Sequence, residues 1–170
     1  MASDDIIDLD DKITLVNLGK LFHKTMQETP DTWETIQSLD NVKSEISGLV
    51  YSVKYDGTGR PCAIMYMTPR MWNDLIRFGD LLFLDAQMRQ YNTSGFPYIS
   101  PIVLDEENKV AQCAKAICVE ESLEMYGWIL LEMQHHEPLF HLTSVKYIFA
   151  DMKVTDTLLK NLGIYQTCML

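Results

Sequence analysis

The sequence predicts one α/β domain built on a mixed sheet, and three observations lead to it. Two apolar, β-rich runs, Leu81–Leu84 and Val145–Ala150, each stop at an aspartate, Asp85 and Asp151. Strands buried on both faces read as such near-continuous apolar runs, and open α/β sheets build their sites at the strand C-terminal ends. Between the two runs lie two more strand-like stretches and one stretch of helical period. Upstream, Ser47 to Met67 has period two, interrupted by Asp56-Gly57-Thr58-Gly59, which is the pattern of a β-hairpin.

In chain order, residues 1–11 carry five aspartates and are expected to form a solvated acidic tail. Residues 12–46 are expected to supply a helix and a loop. Within Ile13–Gln27, Leu15, Val16, Leu18, Leu21, Phe22 and Met26 fall mostly at helical spacing, and Pro30 closes the stretch. Residues 47–170 form the main domain. After the hairpin, Thr68 and Pro69 give an N-cap and a proline at the first helical position, Trp72, Leu75 and Ile76 give a stripe, and Gly79 stops the helix.

Tyr98–Leu104 and Val110–Val119 flank the turn Asp105-Glu106-Glu107-Asn108 and read as an antiparallel pair. Pro101 cannot donate to a ladder, so a bulge or a locally unpaired backbone is expected there. Glu120, Glu121 and Glu124 open the next helix, where the macrodipole favours negative charge. Leu123, Tyr126, Leu130 and Met133 line one side, and His135 and His136 fall in its last turn before Pro138. Thr155 is expected to cap a short helix that Gly163 ends, and Ile164–Leu170 to open one more strand.

The chain carries 24 acidic and 14 basic residues, for a formal charge of −10. Neutralisation of nucleic-acid phosphates by this surface alone is therefore weak. Cys62, Cys113, Cys118 and Cys168 have no C-x-x-C spacing and read as reduced core thiols of an intracellular protein. The acidic N-terminus has neither a basic nor an apolar leader region, which argues against secretion. No apolar run approaches the roughly 20 residues of a membrane span.

Hairpin, strand, strand, helix, strand is a three-stranded antiparallel beginning followed by a crossover. Right-handed crossovers bury their helix on the sheet, so the strand ending at Asp151 is expected beside the one ending at Asp85. Unpaired, two adjacent carboxylates would repel; Mg²⁺ or Mn²⁺, which prefer oxygen donors, turns them into ligands. Two such ions about 4 Å apart activate water and stabilise the leaving oxygen of a phosphodiester. Taken alone, each aspartate also reads as a strand-end cap. Glu121 reads as a helix N-terminal charge or a neighbour of the metal site, and His135, His136 and His141 as dipole partners and surface groups rather than ligands.

The order of elements resembles the ribonuclease H-like core of transposases, and the local sequence resembles the Mutator-like element branch, with its relatives among far-red-response and SWIM-zinc-finger proteins. Three segments carry the resemblance. Met67-Thr68-Pro69-Arg70-Met71-Trp72, leading to Phe78–Ala86, is similar to the segment entering the first catalytic aspartate. Glu121–Leu130 resembles the glutamate-to-tryptophan stretch of the first core helix. Ile148-Phe149-Ala150-Asp151 is similar to the strand bearing the second aspartate, 66 residues after the first.

The resemblance implies a ribonuclease H-like mixed sheet, incomplete at its C-terminal end. It makes Asp85 and Asp151 the catalytic, metal-holding pair for Mg²⁺ or Mn²⁺, and DNA strand cleavage and transfer the ancestral activity. The family's third acidic ligand lies on a later helix. Only 19 residues follow Asp151 here, with Asp156 the one acid among them. The isolated chain is thus expected to be inactive, with DNA an ancestral partner and the nucleus its location. The alternative from another class is a non-catalytic remnant that binds a protein partner or regulates transcription through its acidic surface. No membrane is expected in either case.

Overall fold

The computed structural model describes residues 39–44, 46–87, 96–150 and 167–169, with side chains for all but Gln87 and the last three. Its elements are β1 (Val50–Tyr55), β2 (Pro61–Met67), α1 (Pro69–Phe78), β3 (Leu81–Gln87), β4 (Tyr98–Leu104), β5 (Val110–Gln112), β6 (Lys115–Cys118), α2 (Leu123–His136), a 3-10 turn (Leu142–Ser144), β7 (Tyr147–Ala150) and β8 (Thr167–Met169). These strands form one mixed sheet in the order β1-β2-β6-β4-β3-β7-β8, with β5 also paired to β4. Only β3–β7 and β7–β8 are parallel. The expected helix at 13–27, the segment 88–95, Asp151 and the expected helix after Thr155 lie outside the described residues.

The hairpin is part of the main sheet rather than an appendage before it. The reason is in β2, Pro-Cys-Ala-Ile-Met-Tyr-Met, whose seven residues are all buried. A strand with no polar face must be flanked on both edges and covered on both sides. β1 takes one edge and β6 the other. The turn between β1 and β2 is held by Asp56, whose Oδ1 accepts from the N–H groups of Thr58 and Arg60 at 2.8 and 3.0 Å.

Helix α1 begins and ends at the expected residues. The Thr68 hydroxyl accepts from the Met71 N–H, Pro69 occupies the first turn, and Gly79 is the C-cap. Its inward stripe is rotated from the expected one: Met71 and Leu75 are buried, whereas Ile76 is 42% exposed. Helix α2 is capped by Ser122, so Glu120 and Glu121 precede it and Glu124 is the only acid in its first turn.

Pro101 has the consequence expected of it. The long strand 110–119 divides into β5 and β6, and the register on β4 shifts by one residue between Ile102↔Gln112 and Ile99↔Ala116. Pro101's carbonyl accepts from the Cys113 N–H at 2.8 Å. A residue's nitrogen and carbonyl face the same neighbouring strand, so the missing N–H falls at the bulge and not in the β3 ladder. The buried Ser100 hydroxyl donates to the Ala114 carbonyl at 3.1 Å and satisfies the acceptor that the bulge leaves open.

Helix α2 lies over one face. Ser52 and Lys54, two apart on β1 and so on the same side, both reach it, Lys54 through an ion pair to Glu124 at 3.1 Å. Cross-strand pairs share a face, so the pairings carry that side across the sheet through Met65, Ala116, Ile99 and Ala86 to Leu84 and Ala150. Met65, Ile99 and Leu84 are buried there, with Met125, Ile129, Leu130 and Met133 of α2 in the same core. No helix of the described residues is long and apolar enough to cross a membrane.

Ser100→Ala removes the donor to a buried carbonyl and should cost about 1–3 kcal/mol. At roughly 2–4 °C per kcal/mol for a chain of this size, thermal melting should show a fall of several degrees. An unchanged melting temperature would mean that the bulge does not need this hydroxyl.

Candidate functional site at the rim of the parallel strands

The site is positioned by one pairing. β3 and β7 run side by side in parallel, with Leu81↔Tyr147, Leu82↔Ile148, Phe83↔Phe149 and Leu84↔Ala150 in register. Both strands start from a common anchor. The Asp80 carbonyl accepts from the N–H groups of Lys146 and Tyr147 at 2.7 and 3.2 Å, and Lys146 Nζ lies 3.0 Å from Asp80 Oδ2. The Phe83 and Phe149 rings stack across the pair with centroids 5.0 Å apart. In sequence, the residue after each member of the last pair, Leu84↔Ala150, is an aspartate, Asp85 and Asp151. Asp151 itself lies outside the described residues.

Asp85 is exposed and pairs with Ser100 across β4, on the face away from α2. β3 does not stop there as expected; it continues to Gln87 because β4 runs on beside it, with Ala86↔Ile99 and Gln87↔Tyr98. Asp85 is thus held by a strand on its β4 side, at the level where the described part of β7 ends.

Glu121 lies just before the Ser122 cap of α2, and Tyr126 in the first turn of that helix. The Tyr126 hydroxyl, on a buried ring, donates to Glu121 Oε1 at 2.9 Å. Burial, followed by the bond to Glu121 and the charges of Glu121 and Asp85, pushes the phenol well above its ordinary range. Tyr126 is therefore a neutral donor at any physiological pH, and it lies close enough to Asp85 to feel its charge. Among the described residues no three His, Cys, Asp or Glu side chains converge as a metal-holding group. Asp85, on the face away from α2, and the Glu121–Tyr126 pair at the start of α2 are therefore not gathered into one donor set among the described residues.

The histidines separate. His135 and His141 are exposed. His136 is half-buried, with Nε2 2.7 Å from the Ser52 hydroxyl, which also lies 2.6 Å from Glu132 Oε2. Sequence reasoning missed this cluster. The i,i+4 spacing of Glu132 and His136 was visible, but Ser52 joins them only through folding, 80 and 84 residues away. The arrangement does not match a nucleophilic triad. A catalytic histidine stands between hydroxyl and carboxylate, whereas here the hydroxyl stands between histidine and carboxylate.

Cys62, Cys113 and Cys118 are free and buried. Burial raises the Cys118 thiol to about 12, so it is protonated and unreactive, in line with a core role. A shallow cavity of about 280 Å³ lies between α1 and β5, lined by Arg70, Met71, Asp74, Val110, Ala111 and Gln112, and Asp85 takes no part in it.

Tyr126→Phe keeps the ring and removes the donor to Glu121. Its cost should be about 1 kcal/mol, read as a small loss of melting temperature, because Glu121 can turn to water. A loss above about 3 kcal/mol would show instead that the Glu121 carboxylate is sealed from solvent. The sequence matches no protein-family profile, and neither a curated protein nor a solved structure matches it.

Proposed function

We propose that this chain is a ribonuclease H-like module of the Mutator-like transposase type, whose sheet rim takes Mg²⁺ or Mn²⁺ through Asp85 and Asp151. The observation that carries this reading is the parallel pairing of β3 with β7, in a register that ends one residue short of each aspartate. The order β6-β4-β3-β7-β8, in which β4 alone runs against the others, accords with such a core. The exposure of Asp85 and its position late in β3 suit a ligand at the strand ends.

When bound, the cation would supply activation of water and stabilisation of a phosphodiester's leaving oxygen. The β3–β4 pairing positions Asp85, and Glu121 holds the Tyr126 phenol as a neutral donor near the start of α2. On this reading the module is a cation-binding remnant of a DNA strand-transfer enzyme. Its charge of −10 leaves DNA affinity to the cation and to other sequence.

One observation favours a second reading, a non-catalytic module that binds protein. The face of β3 and β7 away from α2 presents the half-buried Phe83–Phe149 stack and Tyr147, which is 42% exposed. Parallel sheets are ordinarily covered on both faces.

A melting titration separates the two. With a Kd of about 1 mM, about 10 mM Mn²⁺ should stabilise the chain by roughly 1.4 kcal/mol, a rise of about 3–6 °C at roughly 2–4 °C per kcal/mol. Asp85→Asn should abolish the rise. No rise in the unaltered chain favours the protein-binding module, and a rise that survives Asp85→Asn places the cation elsewhere.

A further inference from the structure

We propose that the slot between helix α1 and the free edge of β5 is a docking site for one extended segment of a partner protein, which adds to β5 as an antiparallel strand and sets an acidic side chain against Arg70. The site follows from where β2 leaves the sheet. β2 flanks β6 as far as Tyr66↔Lys115 and then passes at Thr68 into α1. The stretch 110–118 therefore has a strand beside β6 but a helix beside β5, whose one strand partner among the described residues is β4.

The backbone groups on that edge are open. Lys109 and Cys113 turn toward β4, since the Lys109 carbonyl accepts from the Asp105 N–H at 2.9 Å and the Cys113 N–H donates to the Pro101 carbonyl at 2.8 Å. Alternate residues of an antiparallel strand turn their N–H and carbonyl to opposite edges, so Val110 and Gln112 turn theirs outward. Neither has a backbone hydrogen bond on that side among the described residues. Two N–H groups and two carbonyls at an unpaired edge are a template for one more strand.

The surroundings choose the occupant. Helix α1 is tied at its far end by Arg77 to Glu106 at 3.2 Å, so it runs along β5 in the opposite direction. That brings Arg70, Met71 and Asp74 to the cavity of about 280 Å³ beside Val110 and Gln112, with Arg70 toward the Gln112 end. A second copy of this sheet would strike α1 before reaching the edge, whereas a single extended chain can lie alongside it. Val110 is 65% exposed and offers an apolar cross-strand partner. The Arg70 side chain is 59% exposed and that of Asp74 18%, and their contact of 3.9 Å is a weak pair that leaves the guanidinium open to a second carboxylate. In an antiparallel segment that carboxylate belongs just before the residue opposite Gln112.

The test is a ¹⁵N NMR titration of the whole chain with the peptide acetyl-Asp-Thr-Thr-Val-Thr-amide, taken to about 5 mM against an expected Kd on the order of 1 mM. The Val110 and Gln112 amides should shift and slow in hydrogen exchange as peptide is added, while Ala111, whose N–H turns to β4, changes little. N-methylation of one alternate set of peptide amides should abolish the effect and methylation of the other set should leave it, because only one set faces β5. Arg70→Gln should weaken this peptide about twofold to fivefold and leave the affinity of its asparagine analogue unchanged. Shifts centred elsewhere, no shift at this peptide concentration, indifference to which amides are methylated, or equal binding of the aspartate and asparagine peptides would each overturn the proposal. So would slow exchange of the Val110 and Gln112 amides before peptide is added, which would show the chain's own residues on the edge. Shifts that follow protein concentration alone would show a second copy there and overturn it as well.

Discussion

The structure depends on the parallel contact between β3 and β7. This contact joins chain segments 66 residues apart and gives the antiparallel half of the sheet its continuation into β8. Its strength does not come from the exposed Lys146–Asp80 ion pair, whose kind contributes little. It comes from the ladder and from apolar contacts on both faces. Leu82, Leu84 and Ile148 are buried on the α2 side, and the Phe83–Phe149 stack adds roughly 0.5–1.5 kcal/mol on the other. The bifurcated anchor at the Asp80 carbonyl sets the register. A slip by one residue would turn the buried set outward.

Everything else is arranged to let that contact form. The chain must travel from β6 to β7 across β4 and β3, and α2 makes the crossing. Its apolar residues cover one face while polar ties at Glu124 and at Glu132 with His136 hold it to β1. The bulge opposite Pro101 confines the missing ladder donor to the β5–β6 side and leaves the β3–β4 pairing continuous through Asp85. Disorder in that pairing would move Asp85.

What was legible in the sequence follows from the range of the interactions. Local signals gave the hairpin turn, the caps at Thr68 and Gly79, the Pro101 irregularity and the end of α2 at His136 before Pro138. The parallel neighbourhood of β3 and β7 was legible because a helix between two apolar runs leaves few topologies open. The incorporation of β2 into the main sheet was not read, although its wholly apolar composition was a usable sign. The rotated stripe of α1 was missed because Trp72 and Ile76 are as apolar as Met71, and only tertiary packing chooses between them. The Ser52 cluster was invisible, since a small polar residue announces no partner until distant segments meet, whereas the Tyr126–Glu121 bond spans only five residues and needs just the local geometry of the α2 start.

The central claim is that the ends of β3 and β7 form one cation-holding rim, and paramagnetic broadening by Mn²⁺ tests it most directly. Sub-stoichiometric Mn²⁺ should broaden the amide signals of Ala86 and Ala150 together. Those of Leu81 and Tyr147 lie about 10–16 Å further down the strands at roughly 3.3 Å per residue and should broaden far less. Broadening centred elsewhere, or confined to one of the two strands, would contradict the claim.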